Sequence, residues 1–224
     1  MDDISKSGIT KKVIEMSNTW RGVSDIHKQT LTALIGVFNK LSYIDEENKI
    51  VDVRCIYGGP ERAIARINAE NNIILPVISV VPKARENSED RRKFSPVLQN
   101  NTYWSHTKQR AVRLVNLAPK AMNLNYEVNV WGKYLSNVNQ LTEQCRRIFN
   151  PAMTLETPLH DQTQAFLTKE ENGYQVKLGD SDDRVIVKKF LVKVETYIPT
   201  PMFMITSTGE IEEFHGEIKI DTEL

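Results

Sequence analysis

The chain is predicted to adopt an α/β (α+β) fold: a mixed, mainly antiparallel sheet with about three helices and a C-terminal β-hairpin. Three observations carry this. Ile26, Leu31, Leu34, Ile35, Phe38 and Leu41 recur at helical spacing. Leu124, Tyr126, Val128 and Val130 alternate strictly with Asn125, Glu127, Asn129 and Trp131, as in a strand. Met202 to Ile220 reads as a hairpin around Ser207-Thr208-Gly209-Glu210.

Taken in order, residues 1–22 are polar and weakly patterned, and are expected to form a mobile N-terminal arm. Ser24 is the expected N-cap of a helix over 25–42. Gly36 inside that helix points to a close packing neighbour, since glycine there costs about 1 kcal/mol against alanine. Ile50 to Tyr57 alternates as a strand with Val51, Val53, Cys55 and Tyr57 on one face. Gly58-Gly59-Pro60 breaks it, and Pro60 suits the first turn of a short helix, Glu61 to Ile67. Ile73 to Val81 reads as a buried strand, bent or at an edge because Pro76 cannot donate to a ladder.

Pro82 to Lys108 is long, polar and charged, and is expected to be a loop of functional character over 83–110. Ala111 to Leu117 and Leu124 to Trp131 read as strands joined around Pro119. A helix over 134–149 follows, with Leu135, Val138, Leu141, Cys145, Ile148 and Phe149 as its apolar stripe, stopped at Asn150-Pro151. Thr163 to Thr168 is a weak strand. Asn172-Gly173 and Gly179 to Asp183 are turn material. Val185 to Ile198 is the longest strand, with a period slip near Lys188-Lys189 of the kind a bulge causes. The expected organisation is an arm over 1–22, one domain over 23–201 and a C-terminal extension over 202–224.

At 224 residues with 40% hydrophobic and 26% charged residues, the chain can bury an ordinary globular core. Its formal net charge is zero, which argues against gripping nucleic acid as a main task. Two cysteines, Cys55 and Cys145, are too few for a disulfide scaffold and read as buried free thiols. No signal peptide is visible, and no apolar run approaches the roughly 20 residues of a membrane span. The expected setting is the cytoplasm, with no membrane partner.

Reactive groups do not cluster. His27, His106, His160 and His215 are scattered, and only the adjacent His160-Asp161 places a histidine beside another ligand type. Gly58-Gly59 lacks the Gly-Lys-Ser/Thr of a phosphate loop, and no G-x-S-x-G elbow occurs. Neither catalysis, a cofactor nor a metal is expected.

Neutrality hides an asymmetry. Between Lys83 and Arg113 eight cationic residues face three acidic ones, and from Glu195 onward seven acidic residues face Lys219 alone. Three readings stand: two solvated surfaces, complementary charge on head-to-tail contacts between copies, or a nucleic-acid site using Arg91, Arg92, Lys93 and Trp104, with Tyr103 and Trp104 as stacking platforms. Arg110 belongs to the same basic segment. Glu213, His215 and Glu217 line the polar face of the C-terminal hairpin, which completes its own sheet or adds to a neighbour's. Trp131 shares a polar face, so it is either an interface aromatic or covered by a packed helix.

Residues 119–151 read PKAMNLNYEVNVWGKYLSNVNQLTEQCRRIFNP. Pro119, the Tyr126-Glu127-Val128 pattern, Val130, Trp131, Lys133, Tyr134, Asn139, Gln140, Glu143, Gln144, Phe149 and Pro151 resemble a hallmark segment of the tail-sheath stabiliser, or tail terminator, family of contractile-tailed bacteriophages. Ile74-Leu75-Pro76-Val77-Ile78-Ser79-Val80 resembles that family's buried Leu-Pro strand. Val185 to Tyr197 ending in Ile198-Pro199-Thr200-Pro201 resembles its long late strand. The resemblance implies a structural virion protein at the tail–neck junction, assembled in host cytoplasm. Such proteins form a homo-hexameric ring on the tail tube and sheath, offer a face to a neck or connector protein, and admit DNA only as cargo through the lumen. Another neck protein is the alternative. The resemblance does not fix which residues make these contacts; from the charged segment, the hairpin and the aromatic on a polar face, Arg91, Arg92, Lys93, Tyr103, Trp104, Arg110, Trp131, Glu213, His215 and Glu217 are the interface candidates.

Overall fold

Burial on both faces of one central strand organises the larger part of the molecule. The computed structural model describes residues 3–22, 24–59, 75–91, 97–106, 108–157, 163–177, 184–206 and 210–215. The elements are α1 (Asp3–Thr19), α2 (Ile26–Phe38), β1 (Ser42–Ile44), β2 (Ile50–Asp52), β3 (Arg54–Tyr57), β4 (Val77–Asn87), β5 (Leu98–Ser105), β6 (Arg110–Leu117), β7 (Lys120–Gly132), α3 (Leu135–Ile148), β8 (Met153–Leu155), β9 (Thr163–Lys177), β10 (Arg184–Ile198), β11 (Met202–Ile205) and β12 (Ile211–His215). The expected helix at 61–67 and the turns at 179–183 and 207–209 lie outside the described residues. The mixed, mainly antiparallel α+β class holds: only β3 and β4 pair in parallel among the registered strand pairs.

The chain forms two compact units. The larger spans residues 27–87 and 122–196. Its six strands run in the order β3-β4-β7-β10-β9-β8. Tyr126, Val128 and Val130 are buried, as the alternation predicts, but so are Glu127, Asn129 and Trp131 on the opposite face. Trp131 is 1% exposed and packs with Ile56, Val77, Val185 and Val187. Its indole N–H donates to Ser79 Oγ at 2.9 Å, which pays the polar cost of burying the ring. Phe38 at the end of α2 meets Phe149 just after α3, with ring centroids 6.3 Å apart.

The smaller unit comprises residues 1–26, 88–121 and 197–224. Its sheet has the order β12-β11-β6-β5. The C-terminal hairpin therefore completes a sheet within its own chain, with Phe203 opposite both Val115 and Phe214. Residues 3–19, expected as part of an unpatterned arm, form α1. That helix places Ile9 and the fully buried Val13 on a cluster with Val115, Phe203 and Ile205. Two apolar contacts one turn apart suffice to seat it, too few to stand out as a period in the sequence.

Other expectations are corrected. The segment 82–108 is not a single loop: β4 continues to Asn87 and β5 begins at Leu98. These are polar strands held by main-chain pairing, which hydropathy does not mark. Pro76 precedes β4 rather than bending it, and its buried stretch Val77–Val80 is interior, between β3 and β7. The helix expected over 25–42 ends at Phe38, and Tyr43-Ile44 turn back as β1 against β2. Asp25, not Ser24, directly precedes α2, at φ 46°, a left-handed conformation that aspartate tolerates. Gly36 faces open space. Cys55 and Ile56 are both buried while Tyr57 is exposed, so β3 does not keep the expected face. Leu135 is 56% exposed and leaves the apolar stripe of α3. Asn172-Gly173 lies inside β9, where a register shift opposite Ile186–Lys188 takes up the extra residue. The slip expected near Lys188 is real, but the added residue sits on the partner strand. Cys55 and Cys145 are free and buried, and burial pushes both thiols up to about 12.

Gly132 closes β7 where α3 starts. A Cβ added there would lie 2.4 Å from Val138 Cγ2, inside any real contact distance. Val138 is fully buried and stiff at χ1, so it cannot swing aside freely. Gly132→Ala is expected to destabilise the chain by about 1–3 kcal/mol, the usual range for overpacking. Urea denaturation of the two proteins side by side measures it.

Candidate interaction surface

Several of the hallmark residues are internal fasteners: Tyr126, Glu127, Val128, Val130, Trp131 and Phe149 are buried. Glu127 projects from the centre of β7 and is 3% exposed. Its Oε2 lies 2.9 Å from Lys83 Nζ on β4 and 3.0 Å from Lys189 Nζ on β10, the two neighbouring strands. Asn129 Nδ2 donates to its Oε1 at 3.0 Å. Lys189 also approaches Glu171 on β9 at 3.7 Å, and Glu171 pairs with Lys169 at 2.7 Å. A row of alternating charge thus crosses four adjacent strands. Burial alone would raise the Glu127 pKa. Hydrogen bonds from Asn129, Lys83 and Lys189, with the charge of Lys189, outweigh it and hold the carboxyl below the usual range. The hydrogen bond to Glu127 raises Lys189 in turn, against a smaller effect of burial.

Gln140 and Gln144 on α3 serve the hairpin β1–β2. Gln140 Oε1 accepts from Ile44 N at 2.9 Å, while its Nε2 donates to Ile44 O at 3.1 Å. Gln144 Nε2 donates to Ser42 O at 2.6 Å. The two amides imitate a paired strand and hold β1 against the helix. Docked this way, the hairpin displays Ile44 and Ile50, a directly opposed cross-strand pair. Ile50 is 75% exposed. Tyr57, Tyr134 and Leu135 add three more exposed large side chains to this unit. Isolated apolar side chains on a surface are ordinary; Ile44 and Ile50 stand out as an opposed, exposed pair on one hairpin. Sequence reading missed Ile44 and Ile50. The signal was there in Tyr43-Ile44 and Ile50-Val51 flanking the turn residues Asp45 to Asn48.

The expected interface residues separate into groups. Trp104 is 55% exposed and lies on β5, the last strand of its sheet. Trp131 is in the core, and it is strand residues, Ile56, Val77, Val185 and Val187, that pack against it, rather than a helix. Arg110 forms a bidentate pair with Glu212 on β12, both bonds 2.7 Å, and Lys108 stands 3.9 Å from the same carboxylate. The basic segment and the acidic tail therefore meet partly inside one sheet. Arg91 stacks over the Tyr197 ring at 4.9 Å, with its Nε 3.2 Å from Ser88 Oγ. Arg92, Lys93 and Glu217, and the side chains of Tyr103, Glu213 and His215, lie outside what the structure describes. Among the described residues, no three His, Cys, Asp or Glu side chains gather as a metal site, and no helix is long and apolar enough to cross a membrane.

Two outcomes follow from these contacts. Glu127→Gln takes the carboxylate from Lys83 and leaves Lys189 only the more distant Glu171, and is expected to cost about 1–3 kcal/mol at neutral pH. Because the folded carboxyl titrates below its unfolded value, the stability it contributes is present above the ordinary carboxylate range. It is lost as pH falls through the lowered folded value. The variant should therefore lose less stability than the parent between pH 6 and pH 3 in thermal melts, with these two pH values taken as roughly spanning the carboxylate range. Gln140→Ala with Gln144→Ala frees the β1 main chain. Hydrogen exchange at residues 42–52 should quicken while exchange in β7 stays slow.

A family model described as the tail sheath stabiliser of T4-like Myoviridae viruses matches residues 23–223. No curated protein matches the chain. The matched span takes in the whole larger unit, with the Glu127 row and the glutamine-held hairpin, and the smaller unit apart from residues 1–22 and 224, and the chain belongs to the T4-like Myoviridae tail sheath stabiliser family.

Proposed function

We propose that six copies of the chain close into a ring at the end of the tail tube and sheath. The ring holds the last sheath subunits, ends tail growth and presents its opposite face to a neck protein, with DNA passing through the lumen. The family match over residues 23–223 carries the reading, because a tail sheath stabiliser is a virion component that associates with sheath. The character of the surface supports it. Ile44, Ile50, Tyr134, Leu135 and Trp104 stand in water in the single chain, and contacts of a permanent ring bury such side chains. Zero net charge leaves no long-range repulsion between copies. The reading is mechanical, with complementary faces and no bond-making step.

The nucleic-acid alternative loses support from two contacts: Arg110 is neutralised by Glu212, and Arg91 is stacked on Tyr197. A neck protein of the same virion would show similar surface chemistry, and position in the particle separates the two.

Electron microscopy of the purified protein mixed with sheathed tails tests the proposal. A six-fold ring on one tail end, with sheath that no longer sheds subunits on dilution, is expected. Ile50→Asp should abolish capping without lowering the melting temperature, since Ile50 is already exposed. Tails that remain uncapped at every concentration, with no ring in solution, would remove the reading.

A further inference from the structure

Exposed strand edges invite pairing with other chains, and proteins guard them with charge, proline, bulges or brevity. The described edges of this chain are nearly all guarded. β3 and β8 have four and three residues. Beyond β3, the free edge of β4 carries Pro82 and a register shift between Pro82 and Arg85, with Lys83, Arg85 and Glu86 along it. Beyond β8, β9 has two register shifts against β10 and carries Lys169, Glu170 and Glu171. β12 has five residues, a register shift, and Glu212 and Glu213. The amides of Gln140 and Gln144 occupy β1, and β2 has three residues.

β5 differs on every count. Its sequence, LQNNTYWS, contains no proline and no charged residue. It pairs with β6 in unbroken register from Leu98–Leu117 to Ser105–Arg110, eight consecutive partners without a bulge. Its outer side has no strand beside it among the described residues, and Trp104 stands exposed near its end.

We propose that β5 receives an added strand, an extended segment of the tail sheath protein. The choice of occupant rests on the sheath-holding reading above and on the edges themselves. Among the described residues a second copy offers β5 only guarded edges, or another β5 about a two-fold axis, and a two-fold contact does not propagate head-to-tail around a ring. A segment from a different protein meets neither obstacle. Main-chain hydrogen bonds along β5 supply affinity, and Trp104 supplies an apolar anchor. Arg113, exposed on the neighbouring β6 opposite Thr102, disfavours a lysine- or arginine-rich segment.

Hydrogen–deuterium exchange of the full chain, free and bound to sheathed tails of the same phage, tests this. Those amides of Leu98–Ser105 that point away from β6 should become strongly protected on binding. Asn101→Lys with Thr102→Lys, at two exposed positions, adds the missing guard. It should leave the melting temperature unchanged and weaken tail binding about tenfold, equivalent to about 1.4 kcal/mol. Tail binding without protection of 98–105 overturns strand addition and leaves sheath stabilisation standing. Absence of any binding to sheath removes both. Protection of β5 in the free protein that rises with its concentration makes a second copy the occupant, and also overturns the proposal.

Discussion

Two ammonium groups on one buried carboxylate hold the large sheet in register. Glu127 lies on β7, and its partners Lys83 and Lys189 come from the strands on either side, β4 and β10. A strand displaced by one residue would turn its charge to the opposite face and leave Glu127 buried without a partner. Apolar side chains tolerate small slips because one aliphatic contact resembles another. A charge with defined partners does not, so the row specifies one pairing among several that the hydrophobic pattern allows. The lysine heads stay partly in water, which keeps the cost of burying the carboxylate modest.

The hallmark segment can be understood on the same terms. Tyr126, Val128 and Val130 fill one side of β7. Glu127 and Asn129 carry the polar row, and Trp131 caps its far end through Ser79. Gly132 then admits Val138, and Gln140 and Gln144 hold the hairpin that displays Ile44 and Ile50. The segment packs the sheet and holds the hairpin, and the exposed apolar side chains lie on that hairpin and at the start of α3. The motif thus divides into a buried half on β7 with Phe149, and exposed residues such as Lys133, Tyr134, Asn139 and Glu143 at and along α3.

Much of this was legible in the residues, for identifiable reasons. The alternation of β7, the stripe of α3 through Val138, Leu141 and Cys145, and the C-terminal hairpin follow from periodicity, because each has one strongly apolar side. What escaped reading was held by forces that hydropathy does not encode. β5 and the far half of β4 are polar strands stabilised by main-chain pairing. β1 is three residues long and depends on glutamines nearly 100 positions away in sequence. α1 rests on the contacts of Ile9 and Val13. Of the interface candidates, Trp104 kept its place at the surface. Trp131 did not, since a polar-looking face can be buried when each polar group on it finds a partner.

The path of the chain between its two units has a mechanical consequence. The smaller unit is assembled from three separate stretches and the larger from two, so the backbone passes from one to the other four times. Three of these passages, at 87–88, 121–122 and 196–197, occur at or next to β4, β7 and β10, which lie side by side in the large sheet. A pull on one unit is therefore shared among four covalent passages rather than one linker, and no simple truncation yields either half alone.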